Sequence, residues 1–544
     1  MRRGPRIGLT SAAALCVALA AAPAAGAARP GTKAARSLDA ADMARIQELM
    51  ETPPFDRGVW GLKAVDLKTG RTVYGQNRKQ MFHTASTTKT FTTATALDDI
   101  GPKHRFRTRV VRRGGVAADG TLGGDLVLRA SGDLTMGGRA LPDGTVDYTG
   151  FDHTDANEVP GAATLTTEDP LAGLDRLARQ TRRAGVKRIS GDVVIDDRLW
   201  KPTRVNAEVV SPIVINDNAI DIAMTPTSPG ELVETKTRPA TEAYDIDVRV
   251  RTVAAGGTTD VTVHEATADR RVLVTGTIAT DAASAEHPFI QIFRVPDPAF
   301  FARALFIDAL RRAGIEVDAT VAPNDAAGLP ARRKVARLTR VARLTSPPLS
   351  EFVKLINKVS HNLGANAVPF WLGLGERGRP TLERGVAEIA RFAKRAGAKP
   401  DQFTFADGQG GPDNQFSPNA AVKLLRYVRE RGYGKSFFKS LPVKNVDGLP
   451  PPNAGDDPST GHVFEKNGLT GALDPNGLIE VQAMALAGYV RAGRRELAFD
   501  LVVNHVPVLD PNGNPSQSAE DLARAFTAFP TLEGITQLLY ESQR

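Results

Sequence analysis

The order of structure types along the chain restricts its fold more than any single motif. A long series of short β-like runs, from Gly101 to about Val321, separates two parts that contain helices. Gly, Asp and Pro turns break up these runs, whereas the flanking parts carry the 3.6-residue apolar period of amphipathic helices. A chain of 544 residues also exceeds one ordinary hydrophobic core. The sequence therefore predicts a discontinuous domain, built from both ends of the chain and interrupted by a large, mostly β insertion.

The predicted boundaries follow these changes in pattern. The discontinuous domain comprises residues 29–106 and 340–544, and residues 107–339 form an inserted region of one or two domains. Residues 1–28, at the start of the chain, are predicted to be a signal peptide.

The signal peptide is indicated by three arginines near the start, an apolar run from Ile7 to about Ala20, and small residues at Ala25-Gly26-Ala27. The apolar run is too short to span a membrane comfortably, and no later run is long enough. We therefore expect secretion across the inner membrane into the periplasm or the extracytoplasmic cell-wall space, with no transmembrane span in the mature chain.

Composition excludes several classes of function. The net charge of +8 is dispersed and forms no basic tract with interleaved aromatics, which argues against nucleic-acid binding. The single cysteine, Cys16, lies inside the predicted signal peptide, so the mature chain has no thiol nucleophile, disulfide or cysteine metal site. The eight histidines show no metal-ligand spacing. We predict no metal site and no cofactor.

A Ser-x-x-Lys pattern, Ser86 to Lys89, opens a predicted helix that extends to about Asp99. The spacing places the hydroxyl and the amine on one helix face, one turn apart. Free backbone N–H groups at the helix N-terminus favour negative charge that develops near Ser86. A lysine with a lowered pKa can act as the base that activates the hydroxyl. The alternative interpretation is a capping serine followed by a solvated lysine.

A second pattern, Ser360-His361-Asn362, follows a predicted helix over residues 349–359. A hydroxyl and an amide on one side of a turn can relay a proton and hold a carbonyl or a lysine. Asn362 as an ordinary turn residue is the alternative, and His361 is a candidate for lining the same site.

A third pattern, Lys466-Asn467-Gly468-Leu469, ends a predicted strand. The lysine is expected to face outward, and the glycine allows a substrate backbone to approach closely. An extended peptide that ends in a carboxylate could pair along this edge, with its charge near Lys466. A lysine here would also lower the pKa of Lys89 by charge repulsion. The alternative is an exposed strand end that runs into an Asn-Gly turn. An earlier Lys-Thr-Gly, residues 68–70, is interpreted as a hairpin turn.

The order Ser-x-x-Lys, Ser-x-Asn, Lys-x-Gly resembles that of the penicillin-interacting serine enzymes. The chain is similar to the serine D-Ala-D-Ala carboxypeptidase/endopeptidase family of low-molecular-mass class C penicillin-binding proteins, which carry a large insertion between the first two motifs. The matching segments are residues 85–89, 124–128 with 131–133, 191–196, 215–218, 346–349, 357–362 and 406–408. The resemblance implies an α/β (α+β) fold of the penicillin-binding-protein/β-lactamase-like transpeptidase type, in which helices flank an antiparallel sheet.

Three positions depart from the family pattern. Asn467 occupies the place of a threonine in the third motif, so an amide replaces the hydroxyl that helps to bind the substrate carboxylate. His361 replaces the usual aspartate of the second motif, and Gln409 replaces the serine of an Asp-Gly-Ser-Gly signature.

The resemblance also implies roles for named residues. Lys89 would act as the base for Ser86, Ser360 would relay the proton, and Asn362 would hold Ser360 or the substrate. Lys466 would support the proton path, and the substrate would lie along residues 467–469, with the N–H groups of Ser86 and Leu469 as the oxyanion hole. The expected catalytic residues are Ser86, Lys89, Ser360, Asn362 and Lys466, and the expected substrate-binding residues are Asn467, Gly468 and Leu469.

The predicted function is D-alanyl-D-alanine carboxypeptidase or D,D-endopeptidase action on peptidoglycan stem peptides through a Ser86 acyl-enzyme, with β-lactams as inhibitors. Two alternatives remain open. One is a β-lactamase-like or esterase serine hydrolase on the same fold, and the other is a catalytically degenerate homologue that binds peptidoglycan. The sequence does not separate carboxypeptidase from endopeptidase action, and it leaves the oligomeric state open.

Overall fold

The computed structural model describes residues 33–375, 380–450, 455–526 and 529–544. The predicted signal peptide, residues 1–28, lies outside the described residues. Across the described ranges, no helix combines the length and the apolar character that crossing a membrane requires. The described residues form a mixed α/β fold in which helices pack on both faces of an antiparallel sheet.

This main sheet joins the two ends of the chain. Its strands, in spatial order, are β2 (Thr72–Gln76), β1 (Val59–Asp66), β22 (Arg495–Pro507), β21 (Ile479–Ala492) and β20 (Val463–Leu473). Every neighbouring pair is antiparallel. The predicted hairpin is confirmed: Gly70 has a φ of +75°, and the Asp66 carboxylate accepts hydrogen bonds from Lys68 N and Thr69 Oγ1. The Lys-Thr-Gly at 68–70 is therefore a turn.

Helices occur in both flanking parts of the chain and within the inserted region. They are α1 (Ala40–Met50), α2 (Lys89–Asp99), α3 (Ala172–Arg183), α4 (Pro298–Arg312), α5 (Arg332–Val335), α6 (Leu349–Lys358), α7 (Asn362–Leu372), α8 (Leu382–Arg395), α9 (Pro418–Arg429), α10 (Gly434–Ser440), α11 (Ala519–Phe526) and α12 (Phe529–Glu541). Ser417 caps α9 and Pro418 occupies its first turn, a combination that favours a helix start.

The main sheet has a distinct core on each face. Alternate residues of β1 and β22, among them Leu62 and Phe499, pack against α1 and α12. On the other face, α2 lies at the centre of a larger core that includes α6 to α10. Nine of the eleven residues of α2 are buried, although many are threonines with weak helix propensity. Tertiary packing, with threonine hydroxyls bonded to carbonyls one turn back, holds this helix.

The inserted region is mostly β, as predicted. It contains a six-stranded sheet with the order β16 (Glu316–Val317), β6 (Arg188–Ile189), β5 (Thr121–Arg129), β4 (Arg107–Val116) and β17 (Thr339–Thr345), in which β7 (Val193–Asp196) also pairs with β5. Two three-stranded sheets follow the orders β11 (Glu234–Arg238), β10 (Ala219–Thr225), β15 (Phe289–Arg294) and β12 (Asp245–Val253), β14 (Arg271–Ala279), β13 (Asp260–Val263).

Two small sheets complete the described strands. They are β8 (Thr203–Val205) with β9 (Glu208–Val210), and β18 (Phe403–Thr404), β19 (Gln415–Phe416) and β3 (Phe82–His83). The second of these ties the chain just before Ser86 to the C-terminal part. The boundary predicted at residue 339 coincides with the first residue of β17, which pairs with β4.

Candidate active site

Ser86 lies in a 3-10 turn, Ala85–Thr88, directly before α2. The predicted helix is thus confirmed from Lys89 onward, with a tighter first turn. Ala85 has a left-handed φ of 43°, and Thr87 Oγ1 donates to the Thr84 carbonyl at 2.6 Å, which closes the turn. The Ser86 hydroxyl is consequently half-buried at the positive end of a buried helix.

Lys89 is the centre of the site. Its Nζ lies 2.5 Å from Ser86 Oγ, 3.3 Å from Ser360 Oγ, 2.7 Å from Asn362 Oδ1 and 3.1 Å from the Gln409 carbonyl oxygen. An ammonium group has three donors and no acceptor. Four partners therefore exceed its donors, and a neutral amine in this position can accept the Ser86 hydroxyl proton.

The electrostatics of the site favour that neutral amine. Lys89 is fully buried, and burial lowers its pKa to about 7, with the charge of Asp407 acting in the opposite direction. A base with a pKa near the working pH is available in its neutral form without being too weak to take a proton. Lys89 therefore has the lowered pKa that a lysine needs to act as the base for the serine of a Ser-x-x-Lys pattern.

The second motif links two helices. The predicted helix before it is confirmed as α6, which ends at Lys358, but Asn362 begins a further helix, α7, that was not predicted. Ser360 has a left-handed φ of 58°, which reverses the chain between the helices. This reversal brings Ser360 Oγ and Asn362 Oδ1 to the same amine, Lys89 Nζ.

The expectation that His361 lines the site was wrong. Its ring is buried and points to the backbone of α7 and to the inserted region: Nδ1 accepts from Gly364 N at 2.9 Å, and Nε2 lies 3.1 Å from Asp217 Oδ1. His361 therefore caps α7 and contacts a residue far away in the sequence.

The third motif belongs to β20, the edge strand of the main sheet next to the Ser86 turn. A Cβ atom at Gly468 would lie 2.6 Å from the Thr84 carbonyl oxygen and 3.1 Å from Ser86 N. Only glycine permits this approach of strand and turn. The alternative of a strand that ends in an Asn-Gly turn is excluded, because β20 continues to Leu473. Leu469 is half-buried on this strand.

Lys466 differs from its prediction. It was expected to face outward, but it is fully buried, and its Nζ donates to the backbone oxygen of Asn467 at 2.8 Å and to Asn467 Oδ1 at 2.7 Å. Burial, followed by the charge of Lys89, holds the pKa of Lys466 well below its ordinary value. The sequence predicted that Lys466 would lower the pKa of Lys89. Instead, the charge of Lys89 lowers the pKa of Lys466, and burial is the main cause of the lowered pKa of Lys89.

The turn at Asp407–Gly411 completes the site, and motif reasoning gave it no role. Asp407 Oδ1 accepts from the backbone N–H groups of Gln409 and Gly410 at 2.9 and 2.7 Å. Gly410 has a φ of +100°, and a Cβ there would lie 1.8 Å from the Ala85 carbonyl oxygen. This geometry directs the Gln409 carbonyl to Lys89. The Asp-Gly-x-Gly spelling was the available signal.

The inserted region also reaches this site. Asn206 Nδ2 donates to Asp407 Oδ2 at 3.2 Å, and the charges of Glu208 and Asp155 act on Lys89. Burial raises the pKa of both these carboxyl groups. The sequence offered no signal for these contacts, because each joins residues that are far apart in the chain.

Comparison with known proteins places this geometry in a family. The D-Ala-D-Ala carboxypeptidase 3 (S13) family matches residues 43–524, which include the described parts of all three motifs. The chain belongs to this family. Membership confirms the predicted class, a serine peptidase related to the penicillin-binding proteins.

Two relatives of the S13 chain carry carboxypeptidase names. The D-alanyl-D-alanine carboxypeptidase of Actinomadura sp. (strain R39) is 26% identical over 484 residues, covering 84% of this chain and 80% of the relative. D-alanyl-D-alanine carboxypeptidase DacB of Haemophilus influenzae is 22% identical over 426 residues, covering 74% of this chain and 78% of the relative.

A solved structure shares the fold. The crystal structure of penicillin binding protein 4 (dacB) from Haemophilus influenzae superposes with a TM-score of 0.63 at 19% identity, over 89% of this chain and 99% of that one. This likeness confirms the predicted penicillin-binding-protein fold.

Proposed function

We propose that this S13 chain is a serine D-Ala-D-Ala peptidase that cleaves peptidoglycan stem peptides through an acyl-enzyme on Ser86. The observation that supports this most strongly is the convergence of Ser86 Oγ, Ser360 Oγ and Asn362 Oδ1 on one buried amine, Lys89 Nζ. A surface serine and lysine at chance spacing would not be joined by two further side chains from another part of the chain.

The proposed acylation begins when neutral Lys89 accepts the proton of Ser86. The Ser86 oxygen then bonds to the carbonyl carbon of a peptide bond between two D-Ala residues, and the negative charge passes to the carbonyl oxygen. In this proposal, the backbone N–H groups of Ser86 and Leu469 donate to this oxygen. Ser360, 3.3 Å from Lys89 Nζ, relays the proton to the leaving amine as the C–N bond breaks. Water subsequently hydrolyses the ester.

The proposed substrate lies along the edge of β20. Gly468 allows β20 to approach the Ser86 turn closely. In this proposal, the Asn467 amide binds the substrate carboxylate in place of a hydroxyl. β-Lactams would acylate Ser86 in the same way, and penicillin binding protein 4 of Haemophilus influenzae has been solved with a β-lactam bound. Together with the predicted signal peptide, this substrate implies action in the extracytoplasmic cell-wall space.

The experiment that tests this function measures release of D-Ala from a pentapeptide that ends in D-Ala-D-Ala, and cleavage of a cross-linked dimer. We expect turnover of at least one substrate by the wild type and none by Ser86→Ala. The substrate that is cleaved decides between carboxypeptidase and endopeptidase action. Binding of both peptides without turnover by the wild type would contradict the proposal and favour a peptidoglycan-binding homologue, for which Asn467 is the observation in support.

A further inference from the structure

His361 lies between Ser360 and Asn362 of the second motif. Its ring makes two hydrogen bonds, one to the backbone of α7 and one to the inserted region. Nδ1 accepts from Gly364 N at 2.9 Å, which leaves Nε2–H as the donor of the ring. Nε2–H then donates to Asp217 Oδ1 at 3.1 Å. The side chain of His361 has no exposed surface, and that of Asp217 is 5% exposed. The bond is therefore shielded from water.

Asp217 belongs to the inserted region and is presented by an unusual backbone. Three consecutive residues, Asn216, Asp217 and Asn218, have left-handed φ values of 49°, 52° and 55°. Residues other than glycine adopt this region at a cost, and such strain persists only where the surroundings hold it. The loop thus holds a carboxylate against the turn whose own Ser360 is left-handed.

Two buried cations fix the second oxygen of Asp217. Arg139 donates to Asp217 Oδ2 from Nε at 3.1 Å and from a terminal nitrogen at 2.7 Å, and His153 Nε2 lies 2.8 Å from the same oxygen. His153 Nδ1 in turn lies 2.5 Å from Asp221 Oδ1, so both ring nitrogens face carboxylates. Although burial opposes it, the carboxylates of Asp221 and Asp217 raise the pKa of His153 to about 10.

This arrangement leaves Asp217 with no freedom to turn away from His361. One oxygen is held by two cations inside the inserted region, and the other accepts from His361. Although burial opposes it, the charge of Arg139 holds the pKa of Asp217 well below its ordinary value, so the carboxylate remains an acceptor.

We propose that Asp217 is a positioning residue for the acylation step: through His361 it fixes the turn between α6 and α7, and so holds Ser360 and Asn362 on Lys89. The inference rests on the proposed function of Ser86. It gives the inserted region an indirect part in catalysis, because the carboxylate that positions the turn comes from that region. A misplacement of about 1 Å at a catalytic group can lower a rate by about 10²-fold, so one bond of this kind is measurable in the rate.

Two substitutions of His361 separate its two bonds. His361→Asn keeps a short acceptor that can cap Gly364 N, but its amide is too short to reach Asp217. His361→Gln places an amide N–H near the position of Nε2, where it can donate to Asp217, and loses the cap geometry. The measurement is stopped-flow acylation by a fluorescent penicillin, which yields the penicillin dissociation constant and the first-order acylation constant separately. Thermal melting of each variant is recorded alongside.

We expect His361→Asn to lower the first-order acylation constant about ten-fold or more, with the penicillin dissociation constant changed less than about two-fold. His361→Gln should remain within about three-fold of the wild type. Acylation of His361→Asn at the wild-type rate would overturn the inference, as would equal losses in both variants, because the bridge to Asp217 would then not decide the rate. If the wild type itself is not acylated, it is the proposed function that fails.

Asp217→Ala supplies the same test if His361→Asn does not fold, since it leaves the cap of α7 intact. A similar loss confined to the acylation constant is expected. An unchanged acylation constant in folded Asp217→Ala would overturn the inference.

Discussion

Lys89 and Lys466 are both fully buried in one site, but they differ in how far along the chain their hydrogen-bond partners lie. Lys89 meets polar atoms from three distant segments: Ser86, the turn at Ser360–Asn362, and the Gln409 carbonyl. Within the described residues, Lys466 Nζ donates to two atoms of its neighbour Asn467, the backbone oxygen and Oδ1. We call Ser86, Lys89, Ser360 and Asn362 the proposed acylating half of the site, and residues 466–469 the proposed recognition half. Lys466, which the sequence analysis expected to support the proton path, is assigned to the second half because its contacts are with Asn467. Long-range contacts assemble the first half, whereas the contacts of Lys466 in the second half are local. A substitution in the local half can alter substrate binding without dismantling the nucleophile, and Asn467 is such a substitution.

The largest effect should separate the two lysines directly. Lys89→Met removes the base, and we expect the Ser86 acylation constant to fall by about 10³-fold or more, within the range known for general-base removal. Lys466→Met should cost about ten-fold, and mainly in peptide affinity, since its amine contacts Asn467. Stopped-flow acylation with penicillin and peptide-binding titrations measure the two losses. Equal losses in acylation would remove the distinction between the two halves.

Loss of the relay should rank next. Ser360→Ala removes the hydroxyl that lies 3.3 Å from Lys89 Nζ, and we expect turnover of a D-Ala-D-Ala peptide to fall about 10²-fold. Ser350→Ala, a half-buried serine near the start of α6, is the matched control and should stay near the wild type. Steady-state kinetics of D-Ala release give the comparison. A Ser360→Ala variant with normal turnover would mean that another group carries the proton.

The pH profile should report the lowered pKa of Lys89, about 7. Acylation requires the neutral amine, so its rate should rise with pH, reach half its maximum near pH 7 and fall about ten-fold per pH unit below that. Asp407→Asn removes a charge that raises this pKa while keeping an acceptor oxygen for the turn, so the midpoint should move to lower pH. Rates that are constant between pH 5.5 and 8 would show that Lys89 is not the base.

The smallest effect should lie in the recognition half. Asn467→Thr restores a hydroxyl beside the substrate carboxylate, and a gained hydrogen bond to a charged group is worth roughly 1.5–3 kcal/mol at most. Because the same change removes one acceptor of Lys466, we expect KM for the D-Ala-D-Ala peptide to fall only several-fold. The penicillin acylation constant should change less than about three-fold. A large change in that constant would place Asn467 in the acylating half.

The sequence predicted the elements that carry strong local signals. The helix predicted over residues 349–359 is observed as α6, which ends one residue earlier. The strand predicted to carry Lys466 is observed as β20. The three short motifs placed Ser86, Ser360 and Lys466 in one site because their order matches that of a known class of enzyme.

Other features had no local signal. α7 was not predicted because Pro369 and Gly364 lie inside it, and tertiary packing overrides their low helix propensity. Lys466 was expected to be exposed because lysine is almost never fully buried. The Gln409 carbonyl and the Asp217–His361 bond depend on backbone placement and long-range contacts, which side-chain spacing does not encode.

The most direct test of the account is the mass of the intact protein after incubation with a labelled penicillin, followed by peptide mapping. We predict one covalent adduct, located on Ser86, that is absent from Ser86→Ala and forms far more slowly in Lys89→Met. An adduct on a residue other than Ser86, or no adduct in the wild type at any penicillin concentration, would contradict the claim that Ser86 is a nucleophile activated by Lys89.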